Sequence, residues 1–93
     1  ILFVPNSFTP NGDGKNDIFI PEGLGIQQGQ YQLLIFDRWG TQIFESNNSA
    51  VGWDGKANNG TELAQIDTYV WKVILSDKLG KSHSYYGHIS LIR

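Results

Sequence analysis

Hydrophobic residues in this chain form short runs separated by polar, glycine-rich segments. The runs are rich in β-branched and aromatic residues, which favour strands. The clear runs lie at 31–36, 41–45, 68–75 and 84–92, the shorter ones at 2–4 and 18–20, and a weak one at 62–66. No window of ten residues carries a helical apolar period free of glycine. The pattern predicts an all-β fold.

Two polar connections between these runs share the pattern D-x-x-G. They are Asp37-Arg38-Trp39-Gly40 and Asp77-Lys78-Leu79-Gly80. Asp at the first position caps a type I turn, and Gly at the fourth supplies a positive φ. The sequence therefore predicts two hairpins, 31–36 with 41–45 and 68–75 with 84–92.

The alternation of side chains indicates how these strands are layered. The segment 83–92 alternates as expected of a strand with one solvated face, whereas 31–36 is apolar on both faces and suits a central strand. About seven short strands, with turn signals every 8–12 residues or so, are typical of a β-sandwich. We expect two layers, because an isolated meander would not bury both faces of 31–36. The glycine-rich stretch 52–63 is expected to be a long crossover between them.

Length and charge limit the classes of protein that remain. The chain has 93 residues, enough for one compact domain, and no cysteine, so disulfides are excluded. Its net charge is −2 and no basic stripe occurs, which argues against a nucleic-acid partner. No apolar run approaches the length of a membrane span, so membrane insertion is not expected. We expect a monomer.

The two ends of the sequence suggest a place within a longer polypeptide. There is no methionine, and the chain opens on ILFVP. This beginning favours a fragment cut from a larger protein, with any signal peptide upstream. The other end, HISLIR, carries no tag or linker, which is compatible with a natural C-terminus.

The segment 9–17 is a candidate calcium loop. Oxygen-bearing residues recur at alternate positions, and those that match positions of an EF-hand-like loop are Asn11, Asp13, Lys15 (through its carbonyl) and Asp17. Gly14 matches the sharp-turn glycine, but Thr9 and Ile20 stand where the first and the bidentate ligands belong. A metal would need a further ligand, from Asp54 or from a carbonyl across the fold. The alternative is a plain turn in which Asn and Asp side chains bond their own backbone.

Catalytic chemistry finds little support. The sequence contains no G-x-S-x-G and no phosphate-cradling motif. His83 and His88 are five residues apart in a predicted strand, so they lie on opposite faces and cannot bind one ion together. We do not predict an enzyme.

The tryptophans leave two interpretations open. Tyr69 and Trp71 share one face of a predicted strand and suit core packing. Trp39 lies at a hairpin tip and Trp53 in a glycine-rich loop. Both either fold back over the sandwich edge or form a stacking platform for sugars or an anchor for a protein partner.

Five segments occur in an order that resembles a known family. They are FTPNGDGKND, IFDRWGTQIFES, GWDG, TYVWKV and GHISLIR. Together they look like the gliding motility-associated C-terminal domain of Bacteroidetes surface proteins, which is the type B sorting domain of the type IX secretion system. The resemblance covers nearly the whole chain.

The resemblance implies an immunoglobulin-like β-sandwich at the C-terminus of a large exported protein. Such a domain is the sorting signal that secretion proteins at the outer membrane recognise in the periplasm. The cargo then reaches the cell surface or the medium. Because the signature segments are spread along the chain, we expect recognition of a folded surface, with edge-strand pairing by 87–93 as one route. The candidate recognition residues are Trp39, Trp53, Gly87, Ile89, Leu91 and Arg93. The alternative function is a carbohydrate-binding or adhesive module with Trp39 and Trp53 as its platform.

Overall fold

The computed structural model describes residues 2–10, 12, 17–23, 30–57, 62–76 and 79–92. Within these residues the secondary structure consists of strands, and no helix is present. The strands are β1 (Leu2–Phe3), β2 (Ser7–Phe8), β3 (Glu22–Gly23), β4 (Tyr31–Phe36), β5 (Gln42–Ser46), β6 (Lys56–Ala57), β7 (Glu62–Leu63), β8 (Asp67–Ser76) and β9 (Ser82–Leu91). The prediction of an all-β fold is confirmed.

A five-stranded sheet in the order β2-β9-β8-β4-β5 is the main layer. The two ten-residue strands β8 and β9 pair antiparallel from Asp67 opposite Leu91 to Ser76 opposite Ser82. Strand β4 is antiparallel to both β8 and β5, and β2 is parallel to β9. Both predicted hairpins are therefore confirmed, and β4 has the internal position that its apolar sequence predicts.

The turn between β4 and β5 forms as the D-x-x-G pattern predicts. The Asp37 carboxylate accepts the backbone N–H groups of Trp39 and Thr41, each at 2.9 Å. Gly40 has a φ of 82° and donates its N–H to the Asp37 carbonyl at 3.0 Å. In the second D-x-x-G segment, Asp77 and Lys78 lie outside the described residues, while Gly80 has a φ of 82°.

The second layer of the sandwich is thin and discontinuous. It is built from the two-stranded ribbons β1–β3 and β6–β7 and from a bridge in which Phe19 and Trp53 exchange two backbone hydrogen bonds of 2.8 Å. The sandwich is confirmed, but it has nine described strands rather than about seven, because this layer is divided into ribbons of two residues. The predicted strands at 18–20 and 62–66 shrink to that bridge and to β7.

The core lies between the two layers. Its buried hydrophobic residues are Phe8, Phe19, Tyr31, Leu33, Ile35, Trp53, Ala64, Tyr69, Trp71, Val73, Ile89 and Leu91. Burial along β4 alternates between buried and half-buried. The expectation that both faces of 31–36 are buried is met in full on the inner face only. Leu34 and Phe36 point to the outer face of the sheet and are partly buried, because the thin layer covers only the inner face.

Candidate recognition surface

Trp53 is the point at which several signature segments meet. Its side chain is 0% exposed, and its ring centroid lies 5.2 Å from that of Phe8 and 5.0 Å from that of Tyr69, the latter edge-on. Its indole N–H donates to the Lys56 carbonyl at 2.9 Å, so the polar atom of this core residue is satisfied. One indole thus packs against the residues of FTPNGDGKND and TYVWKV that flank it.

The glycines of the GWDG segment allow close approach of the backbone. A Cβ at Gly52 would lie 2.5 Å from the Phe19 carbonyl oxygen. Gly55 has a φ of 86°, and a Cβ there would lie 2.8 Å from the Pro10 side chain. Between them, the Asp54 carboxylate accepts the Lys56 N–H at 3.1 Å. GWDG is therefore a packing and turn motif.

The C-terminal strand contributes mainly to the core. Ile89 is 0% and Leu91 1% exposed, and Gly87 lies beneath the Trp71 indole. The sequence nominates Trp53, Ile89 and Leu91 as recognition residues. The structure corrects this for direct contact with a partner, because these three side chains are enclosed in the folded domain. Arg93 lies outside the described residues.

Trp39 is the aromatic candidate that the structure leaves accessible. Its side chain is 73% exposed, and the Arg38 guanidinium carbon lies 5.5 Å from the centroid of its ring. Arg38 in turn donates to both carboxylate oxygens of Asp67, at 2.9 and 2.7 Å. Through this chain of contacts, β8 holds the hairpin tip in one orientation. The bidentate geometry orients the Arg38 side chain. The pair contributes little to the free energy of unfolding, as is usual for exposed ion pairs.

The electrostatics of this pair follow from its geometry. The hydrogen bond from Arg38, helped by the backbone N–H of Thr68, holds the pKa of Asp67 below its usual range. The same carboxylate raises the pKa of Arg38. The pair is therefore charged at neutral pH, and the cation stays beside the Trp39 ring.

A groove of about 290 Å³ adjoins Trp39. Ile43, Ala57 and Ala64 give it an apolar lining, and Asp37 and Asp67 place carboxylates at its margin. An exposed aromatic beside an apolar groove is a common anchor arrangement for a protein partner.

A larger cavity of about 510 Å³ lies near the start of β4. Tyr31 lines it, is 7% exposed, and has a buried hydroxyl that finds no hydrogen-bond partner among the described residues. Burial raises the pKa of this hydroxyl to about 12. The other described lining residues are amides, serines, a glycine and aliphatic residues, so this lining supplies neither a carboxylate nor a histidine for acid–base chemistry.

The candidate metal loop is described only in part. The Asp17 carboxylate accepts the N–H of Gly12 at 3.0 Å, and Gly12 has a φ of 81°. This contact is the turn chemistry that the alternative interpretation predicts. Asn11, Asp13 and Lys15 lie outside the described residues. Among the residues that are described, no group of three or more His, Asp or Glu side chains could hold a metal ion.

The sequence suggests 87–93 as a free edge of the sheet, but the end of this segment is already paired. Ser90 and Ile92 donate their N–H groups to the carbonyls of Asn6 and Phe8, each at 3.0 Å, so β2 covers the end of β9. Within the described part of the chain, β9 has no second neighbouring strand before this, over 82–88. The sequence did not predict the pairing of β2 with β9, because β2 is two residues long and carries no strand pattern of its own.

These features define a small β-sandwich whose signature residues build its core and turns. The family model of the CHU_C type IX secretion signal domain matches residues 2–91, so the chain belongs to that family. No curated protein matches the chain significantly. The resemblance inferred from the five sequence segments is confirmed.

Membership of this family assigns the domain a sorting role in type IX secretion. The adhesive alternative gains no support, since its platform needs Trp53 at the surface and Trp53 is buried. In the part of the chain that the structure describes, no helix is long and apolar enough to cross a membrane.

Proposed function

We propose that residues 1–93 are a single C-terminal sorting domain of a larger exported protein, and that secretion proteins at the outer membrane recognise its folded surface. The cargo passes through the periplasm and reaches the cell surface or the medium. The observation that carries this proposal is the meeting of three of the five signature segments at Trp53, where GWDG packs against Phe8 and Tyr69. Residues so far apart in sequence form one feature only when the chain is folded.

Trp39 is the side chain that we propose as the main contact with the secretion machinery. It is exposed, oriented by Arg38, and adjacent to an apolar groove. Tryptophan and arginine dominate the binding energy of many interfaces because they bury large areas at fixed geometry. The fully buried candidates act indirectly, by maintaining the sheet from which Trp39 projects.

For the loop 9–17 we propose closure by turn chemistry, with the contact between Asp17 and the Gly12 N–H as its support. An ordered entry into the Phe19 bridge needs a defined loop, and this hydrogen bond spans five residues. A bound Ca²⁺ held by Asn11, Asp13, Lys15 and Asp17 is the competing proposal. The two differ in the measured calcium dependence of stability.

A reporter fusion tests the sorting proposal. Residues 1–93 are fused behind a periplasm-directed reporter in a host with the type IX system and in the same host lacking it. We expect surface or medium delivery in the first host and periplasmic retention in the second. Equal delivery in both hosts would contradict the proposal.

Point substitutions are better probes than truncation of the last strand. Deletion of 87–93 removes Ile89 and Leu91 from the core, so loss of export would report unfolding. The exposed Trp39→Ala variant is the informative one. We expect it to fold and to be exported less efficiently than wild type. The conservative variant Trp39→Phe, which keeps an aromatic ring, is its matched control.

A further inference from the structure

Most of the outer edge of β9 has no neighbouring strand among the described residues. Strand β2 pairs only with Ser90 and Leu91 of this ten-residue strand. Ser90 and Ile92 point their N–H groups toward β2. Because main-chain groups alternate in direction along a strand, Ser84, Tyr86 and His88 point theirs to the same side. These residues present a row of N–H and C=O groups at the sheet edge.

This edge lacks the features by which proteins usually protect exposed strands. Natural edges carry Lys, Pro, inward charges or bulges, or are kept very short. The segment 82–88 reads SHSYYGH, without Pro, Lys, Arg, Asp or Glu, and its register with β8 runs without a shift. The opposite edge of the sheet, β5, has a register shift between Ile35 and Phe36 of the adjacent strand and carries Glu45. Among the described residues, the β9 edge is therefore the one suited to pairing.

We infer that the outer edge of β9 over 82–88 docks an extended segment of a secretion-system protein, which adds to the sheet as a further strand. This inference rests on the proposed sorting function and specifies how that signal is bound. Strand β2 shows the geometry on the same edge, where its carbonyls accept N–H groups of Ser90 and Ile92. The incoming strand would continue this line of pairing toward Ser84.

The side chains beside the edge define the chemistry of the occupant. Tyr86 is 78% exposed on the outer face, and Tyr85 is 41% exposed on the other. A docked strand would place its own side chains next to these two rings, so apolar or aromatic residues at alternating positions fit best. Two charge-capable groups share the outer face, His88 opposite Val70 and Lys72 opposite Tyr86. The main chain supplies the affinity and the tyrosines supply the selectivity.

A second copy of this chain fits the edge less well than a partner strand. Two copies would pair seven residues each across a two-fold axis, far less than the roughly 20–30 residues a side of a stable interface. A sorting signal needs a contact that forms and releases, and strand pairing of this length is suited to that. The edge therefore favours a transient heterologous strand.

The test compares backbone and side-chain changes at Ser84 in the full domain fused to the reporter. Ser84→Pro removes an outward N–H that the β8 ladder does not use, and proline is tolerated at such edge positions. Ser84→Ala changes the side chain and keeps the N–H. We expect Ser84→Pro to lower reporter delivery by about tenfold, the effect of losing roughly 1.4 kcal/mol of binding, and Ser84→Ala to match wild type.

A second variant keeps the test decisive if the proline perturbs folding. Ser84→Lys with Tyr86→Lys leaves the backbone groups in place and adds the charges that protect natural edges. Thermal melts establish which variants are folded. Folded variants with reduced delivery support the inference. Folded variants with wild-type delivery overturn it.

Two further outcomes separate this inference from the proposed function. If the unmodified fusion is not delivered, the sorting proposal itself fails, before any edge variant is compared. Sedimentation of the isolated domain tests self-pairing. A concentration-dependent dimer that Ser84→Pro abolishes would overturn the heterologous partner and assign the edge to a second copy.

Discussion

The Trp71 indole lies across Gly87 on the neighbouring strand, and no other residue would leave room for it. Trp71 and Gly87 are directly paired between β8 and β9. A Cβ at position 87 would lie 2.9 Å from indole Cζ2 and 3.1 Å from Nε1. The same ring packs against Phe19 of the second layer, with centroids 6.5 Å apart. The glycine of the C-terminal segment thus sets the position of an aromatic residue that joins the two layers.

Replacement of Gly87 by alanine should therefore destabilise the domain. The added methyl forces the Trp71 ring away from the sheet, and overpacking of this kind costs about 1–3 kcal/mol of unfolding free energy. Chemical denaturation followed by tryptophan fluorescence measures the change. Ser84→Ala, on the same strand and exposed, is the control and should change stability little. Wild-type stability for Gly87→Ala would contradict the packing of Trp71 described above.

The two tryptophans considered as a platform should respond oppositely to alanine substitution. Trp53→Ala leaves a cavity in the core and should cost about 3–5 kcal/mol, a large part of the total stability of a small domain. Trp39→Ala removes an exposed ring and should change the free energy of unfolding by about 0.5 kcal/mol or less. Urea denaturation of both variants provides the comparison. Similar losses in the two variants would refute the assigned burial.

The Tyr31 hydroxyl should make the domain sensitive to alkaline pH. Its pKa is raised from an ordinary value of 10.0 to about 12 in the folded state. Because the unfolded state ionises first, the stabilisation is complete below pH 10 and is lost as the pH rises toward 12. We expect the free energy of unfolding to fall by about 1–3 kcal/mol across this window. Denaturation at a series of pH values measures this slope.

Tyr31→Phe isolates this effect from other alkaline titrations. The variant lacks a buried hydroxyl for which the described residues supply no partner, so it should be as stable as wild type or more stable at neutral pH. The difference in stability between variant and wild type should widen above pH 10. A constant difference from pH 8 to pH 12 would refute the buried state of this hydroxyl.

The contribution of the ion pair between Arg38 and Asp67 to stability should be lost in acid. The pKa of Asp67 is lowered in the folded state, chiefly by the hydrogen bond from Arg38. Its contribution is therefore present above the unfolded-state pKa and disappears as the pH falls through the folded-state value. We expect the melting temperatures of wild type and Asp67→Asn to converge in acid. Titration of the Asp67 carboxyl by NMR gives the direct measurement, and an unshifted pKa would argue against the pair.

Calcium distinguishes the two proposals for the loop 9–17. If Asp17 closes the loop through the Gly12 N–H, the melting temperature should be the same with Ca²⁺ and with chelator. A ligand that binds only the folded state would instead stabilise it, by about 2.7 kcal/mol at a hundred times its dissociation constant. Asp13→Asn, which changes one of the candidate calcium ligands, is the variant to compare with wild type. A calcium-dependent rise that this substitution removes would replace the turn proposal with an ion site.

Local chemistry accounts for what the sequence could predict. The hairpin turn at Asp37 and Gly40, the strands β4, β8 and β9, and the internal position of β4 all follow from patterns within a few residues. The burial of Trp53 does not, because a tryptophan in a glycine-rich loop can either fold back over the sandwich edge or stay exposed, and only the Phe19 bridge decides between them. The parallel pairing of β2 is also hidden, since Ser7 and Phe8 gain strand geometry only from β9. Long-range contacts decided both cases.

The burial of Trp53 has a consequence for quality control during export. A linear tag could be recognised on any chain, folded or not, whereas the folded-surface signal that we propose forms only after the sandwich has closed around the Trp53 indole. Molecules that have not completed the core would present neither the Trp39 tip nor a straight β9 edge. On our proposal, recognition of the domain therefore also selects folded molecules. The fraction of molecules competent for secretion is set by the folding equilibrium of these 93 residues.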